Sequence, residues 1–125
     1  MPTSMASWFY NARNMKSNVR NFANLKMNNV TNMSYAYYNC YNLTGSPVCG
    51  NKVGNMVSTY RECRNLKGSP VCGPNVTSMI YTYFNCRNLT GSPVCGPKVT
   101  LMRNTYANCC NLTGSPVCGP NVTSM

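Results

Sequence analysis

The sequence has no histidine, and Glu62 is its one acidic residue, so aspartate is missing too. These absences remove the paired carboxylates, the Ser/His/Asp sets and the Cys/His pairs that acid–base and nucleophilic catalysis need. Neither an enzyme activity nor a cofactor is expected. Metal binding is poorly supplied as well, because zinc sites draw on histidine or C-x-x-C spacings and neither occurs. No stretch reaches the ~18–20 apolar residues of a membrane span. The opening MPTSMASWFYNARNMKSN contains no apolar core of a secretory signal peptide.

What is present is basic and repetitive. Eleven Lys and Arg against one acid give a net charge of +10, so the cations are almost unbalanced. Such a surface attracts anionic partners: an acidic glycan, an acidic protein surface or the outer face of a bacterium. Plain colloidal solubility is the alternative.

Internal repetition dominates the pattern. Cys40, Cys63, Cys86 and Cys109 recur every 23 residues, as do Cys49, Cys72, Cys95 and Cys118. The Tyr37, Leu43 and Met33 positions keep the same period, and GSPVCG occurs four times. Residues 1–32 read as a degenerate first repeat with a 28-residue spacing from Met5 to Met33, in which residues 16–29 replace the GSPVCG turn. Residues 33–125 read as four 23-residue repeats, with Met125 opening a further one. Arrays normally cap their ends, so a longer parent chain or an oligomer is expected.

Within a unit, Met33, Tyr37, Cys40 and Leu43 fall at i, i+4, i+7 and i+10, which predicts about three turns of helix with one buried face. Gly45 would end it. Residues 46–49, with Pro47 among them, would form a short extended side, and Gly50 a second corner. Val53, Val76, Val99 and Val122 return to the core. The expected fold is a right-handed repeat solenoid of 23-residue units, each a short helix plus a short extended segment. Asn14, Asn42, Asn65, Asn88 and Asn111 recur in one phase, as an inward amide ladder would require; Asn42, Asn88 and Asn111 also lie in N-x-S/T sequons, but Asn65 does not.

The stretches VTNMSYAYYNCYNLT and VTSMIYTYFNCRNLT (residues 30–44 and 76–90) resemble the V-T-x-M-x-x-x-F-x-x-C-x-x-L-T repeat of BspA-like bacterial surface proteins. The likeness runs over essentially the whole chain; GSPVCGP is a departure from the family's usual apolar strand. The resemblance implies a leucine-rich-repeat-like coil and adhesive or partner-binding roles, as found on bacterial surfaces and in some phage-encoded proteins. It carries over no catalytic residues.

Two further patterns bear on sites. Each complete unit holds both cysteines and the degenerate first unit holds neither. Cys40–Cys49, Cys63–Cys72, Cys86–Cys95 and Cys109–Cys118 are therefore candidate disulfides, leaving Cys110 over; reduced core thiols are the other reading. Arg13, Arg64 and Arg87 share one phase, and Lys52 and Lys98 another, so stacked units would line up cations about 5 Å apart per coil. The arginines either form an anion- or partner-binding stripe or bond to backbone carbonyls of adjacent coils. Tyr35, Tyr38, Tyr41 and Tyr81 read as surface tyrosines without a continuous ladder, so nucleic acid ranks behind glycan and protein partners. The expected role is a non-enzymatic surface or adhesive repeat protein, extracellular, on a bacterial envelope or a virion. A structural spacer or assembly subunit is the alternative.

Overall fold

The computed structural model describes residues 3–15, 27–114 and 119–124. The chain winds into stacked coils that repeat every 23 residues, spanning 33–55, 56–78 and 79–101, with the described parts of 102–124 continuing the stack. Single parallel bridges tie the coils together at one corner, from Ser4 through Asn32, Asn55, Ser78 and Leu101 to Ser124.

The helix-plus-strand unit is not what the chain forms. Among the described residues the helix is limited to one turn of 3-10 helix, Met27–Asn29, and the parallel pairing consists of isolated bridges. The leucine-rich-repeat-like fold class is therefore overturned, and backbone hydrogen bonding gives the reason. On the side expected to be helical, the amides of Ala36, Tyr38 and Cys40 close turns onto the carbonyls of Met33, Tyr35 and Tyr37 at 3.0, 3.2 and 3.2 Å. The amides of Met33, Tyr35, Tyr37 and Asn39 leave the coil and bond to Asn55, Val57, Thr59 and Arg61 of the next one at 2.8–2.9 Å. An α-helix keeps its amides for its own i−4 carbonyls; here every second one is given away.

That alternation requires left-handed backbone twice per coil. Tyr35 and Asn39 have φ of 58° and 60°, and Ser58/Glu62, Tyr81/Asn85 and Asn104/Asn108 repeat the pair. Asparagine, which tolerates this region best among residues with a side chain, occupies the second place in every coil except that of Glu62.

The other side has no strand because Pro47, Pro70 and Pro93 lack a ladder donor. A phenol takes over. The Tyr60 hydroxyl accepts from the Val48 amide at 2.9 Å and donates to the Val48 carbonyl at 2.8 Å. Tyr83 with Val71 and Tyr106 with Val94 do the same.

Inside, in-register columns fill the coil. Met33, Met56 and Met79, Leu43, Leu66 and Leu89, and Val53, Val76 and Val99 are fully buried, with Leu112 and Val122 packed against them. The tyrosine column stacks nearly parallel, with centroids 5.1 Å apart for Tyr37–Tyr60, 5.7 Å for Tyr60–Tyr83 and 5.6 Å for Tyr83–Tyr106. Buried Thr59, Thr82 and Thr105 hydroxyls donate to the Met33, Met56 and Met79 carbonyls one coil back, at 2.9, 2.7 and 2.6 Å.

Candidate binding face

The turn-rich side carries two adjacent outward columns. The first is Arg13, Tyr41, Arg64, Arg87 and Cys110. Arg13 and Arg64 lie against the Tyr41 ring from successive coils, their guanidinium carbons 5.2 and 5.1 Å from its centroid. Arg64 also meets Glu62 at 3.2 Å, where the arginine side chain is 48% and the glutamate 16% exposed. Arg13 and Arg87 are exposed. The three arginines thus share a face, and neither pure alternative describes them: Arg13 and Arg64 stack on a ring instead of bonding to carbonyls, Arg87 is exposed, and Arg64 is not free of an internal acceptor.

The second column is Tyr10, Tyr38, Arg61, Phe84 and Ala107, flanked by Tyr35 and Tyr81. Tyr10 and Tyr38 stack at 4.8 Å with their planes 6° apart. Tyr35 touches both, at 6.4 and 5.8 Å. Arg61 then joins the upper and lower aromatics, its guanidinium carbon 5.7 Å from the Tyr38 centroid, 4.4 Å from Tyr81 and 5.1 Å from Phe84. The surface tyrosines do not stack as one ladder: Tyr41 lies apart between Arg13 and Arg64, and Tyr38 and Tyr81 are joined only through the Arg61 guanidinium. Arg61, Tyr10 and Phe84 escaped the sequence reading. The one signal for them was that they share the phase of Tyr38, a phase in which identity changes from coil to coil while affinity for an aromatic neighbour does not. Tyr10 is 47%, Trp8 45% and Tyr35 38% exposed, so this side is also where large apolar groups meet solvent.

Lys52 and Lys98 do not join this face; the segment carrying Leu43 and Pro47 intervenes along the coil. Their position alternates with asparagine. Lys52 Nζ donates to Asn29 Oδ1 at 3.1 Å and Lys98 Nζ to Asn75 Oδ1 at 2.8 Å, each one coil back. Both are rungs of a polar ladder.

Two asparagine ladders run beside the arginines. Asn42, Asn65 and Asn111 amides donate to the carbonyls of Arg13, Tyr41 and Arg87 at 2.7–2.9 Å, and Asn88 donates to Asn65 Oδ1 at 3.4 Å. In the left-handed column, Asn39 donates to Asn11 Oδ1 at 2.9 Å and Asn108 to Asn85 Oδ1 at 2.8 Å. Glu62 accepts from Asn85 at 2.8 Å but, as an acceptor only, has nothing to donate back to Asn39.

Eight cysteines are described and all are free thiols, so the pairs Cys40–Cys49, Cys63–Cys72 and Cys86–Cys95 are not formed. Cys118, the partner considered for Cys109, lies outside the described residues. The first thiol series is committed elsewhere: Cys40, Cys63, Cys86 and Cys109 donate to the carbonyls of Phe9, Tyr37, Tyr60 and Tyr83 at 2.9–3.1 Å. In the second series, Cys49 Sγ turns to the Gly50 carbonyl at 3.5 Å and the Met56 sulfur at 3.6 Å. Burial pushes the Cys49 and Cys109 thiols up to about 11, and lifts Cys63, Cys72 and Cys86 as well. Thiols held neutral in this way are weak nucleophiles and weak metal ligands. No cluster of three potential metal-ligating side chains occurs among the described residues, and no described helix is long and apolar enough to cross a membrane. Family models, curated proteins and solved structures yield no match to the chain.

Proposed function

We propose that the protein is a non-enzymatic surface or adhesive repeat protein that holds an anionic partner on its arginine- and tyrosine-bearing face, at a bacterial envelope or on a virus particle. The observation that carries this reading is the pair of adjacent outward columns, in which Arg13, Arg64 and Arg87 stand beside an aromatic strip in a chain of net charge +10. The likeness of residues 30–44 and 76–90 to BspA-like surface repeats supports an adhesive role. A partner offering clustered carboxylates, sulfates or phosphates fits best, because an arginine fork matches such groups bidentately.

Binding to immobilised acidic polysaccharide, lipopolysaccharide or an acidic protein should weaken steeply with added salt, since exposed charges are screened within ~8–10 Å at physiological ionic strength. Replacing Arg64 and Arg87 together by glutamine should lower that binding and flatten its salt dependence while the melting temperature holds. A destabilised double variant with unchanged affinity would sink the reading and favour a purely structural spacer or assembly subunit. The spacer reading draws its own support from Lys52 and Lys98, whose ammonium groups serve the stack.

A further inference from the structure

Among the described residues, Arg61 is a partly buried cation without a counter-charge. Its Nε is buried without a hydrogen-bond partner, and its guanidinium makes no hydrogen bond or ion pair among the described residues. The chain's one acidic side chain, Glu62, is taken by Arg64 at 3.2 Å and by Asn85 at 2.8 Å. Three rings surround the cation instead, and a ring quadrupole offsets part of its lost hydration without supplying a counter-charge. The site is therefore short of a planar anion that a guanidinium fork can grip.

The neighbouring groups narrow the kind of anion. The hydroxyls of Tyr10, Tyr35, Tyr38 and Tyr81 make no hydrogen bond among the described residues, and each can donate and accept. The Tyr10 and Tyr38 rings, parallel at 4.8 Å, each cover one face of the other, and Arg61 lies against the Tyr38 ring as well. A nucleobase needs an open ring face to stack on. A sugar instead offers several hydroxyls for phenols to bond, and a uronic acid adds a carboxylate at the edge of the same ring.

We infer that the patch built by Tyr10, Tyr35, Tyr38, Arg61, Tyr81 and Phe84 is a subsite for an acidic polysaccharide containing uronic acid. Arg61 anchors a carboxylate and the tyrosine hydroxyls bind sugar hydroxyls. A chain laid along this column continues beside Arg13, Arg64 and Arg87, which contribute longer-range attraction. The inference rests on the binding reading above and assigns its ligand class and its anchor.

The test uses the whole chain with polygalacturonate oligomers, dextran and oligo(dT) as probes, read by calorimetry and by fluorescence of exposed Trp8. Polygalacturonate should bind and dextran should not. Arg61→Gln should weaken polygalacturonate binding roughly tenfold or more, and Arg61→Lys, which keeps the charge and loses the fork, should fall between. Tyr35→Phe, the removal of one hydroxyl from an exposed ring, should cost roughly threefold and serves if Arg61→Gln fails to fold. If Arg61→Gln folds and binds like the parent while the Arg64/Arg87 double variant loses binding, the anchor assignment is wrong and the broader reading stands. If oligo(dT) binds more tightly than polygalacturonate of equal charge, the polysaccharide assignment is wrong. Absence of binding to any of the polyanions overturns both.

Discussion

The Tyr83 hydroxyl accepts from the Val71 amide at 3.0 Å and donates to the Val71 carbonyl at 2.7 Å, so one phenol closes both polar groups of a segment that has no strand partner. Tyr83→Phe leaves that amide and carbonyl unpaired beside the core and should destabilise by about 1–3 kcal/mol. Tyr37 has the same packing, yet its buried hydroxyl has no hydrogen-bond partner among the described residues. Tyr37→Phe should accordingly be neutral or slightly stabilising. Urea unfolding of the two variants side by side decides the matter, and equal losses would show that ring packing alone sets the value of the column. Buried columns of this kind could be read from the sequence because identity repeats every 23 residues. Arg61 could not, since tyrosine, arginine and phenylalanine look unrelated until their guanidinium–ring contacts are seen.

At the level of the element, the i, i+4, i+7, i+10 spacing was sound about which residues face inward and misleading about how the chain gets there. Consecutive turns of three to four residues return a side chain to the interior as often as a helix does. The distinguishing mark was the recurrence of Asn39, Asn85 and Asn108 four residues after Tyr35, Tyr81 and Asn104, the paired left-handed positions that no helix accommodates. Corner geometry yields a contrast between two glycines. A Cβ on Gly73 would lie 2.9 Å from the Gly50 carbonyl oxygen and 3.0 Å from Cys49 Sγ, whereas one on Gly54 would meet only backbone oxygens at 3.7 and 3.9 Å. Gly73→Ala should therefore lower the melting temperature clearly. Gly54→Ala should hold it or raise stability by about 0.4–1 kcal/mol by restricting the unfolded chain; a fall of equal size in both would show that the coils cannot absorb any added atom at these corners.

Across the whole molecule, burial holds an unusual number of weak acids neutral. The Cys49 and Cys109 thiols are raised to about 11, and burial also raises Cys63, Cys86, Tyr60 and Tyr83. A group whose folded value exceeds its unfolded one contributes its full stability below the unfolded value and loses it as the pH climbs through the folded one. The urea midpoint should thus be level to about pH 8.5–9 and fall steadily towards pH 11 and beyond; a midpoint that stays level through pH 11 would show that these groups titrate alike in the folded and unfolded chain and that burial does not raise them. The same stack has a mechanical side. Its main hydrogen bonds pass from coil to coil, along the direction of stacking, so tension on the two ends loads successive coils in series and peels them one after another. Each released coil of 23 residues would lengthen the tether by roughly 80 Å at full extension. A protein built in this way yields in steps under load, as an extensible linkage does, while the coils still in place keep their arginines and tyrosines in line.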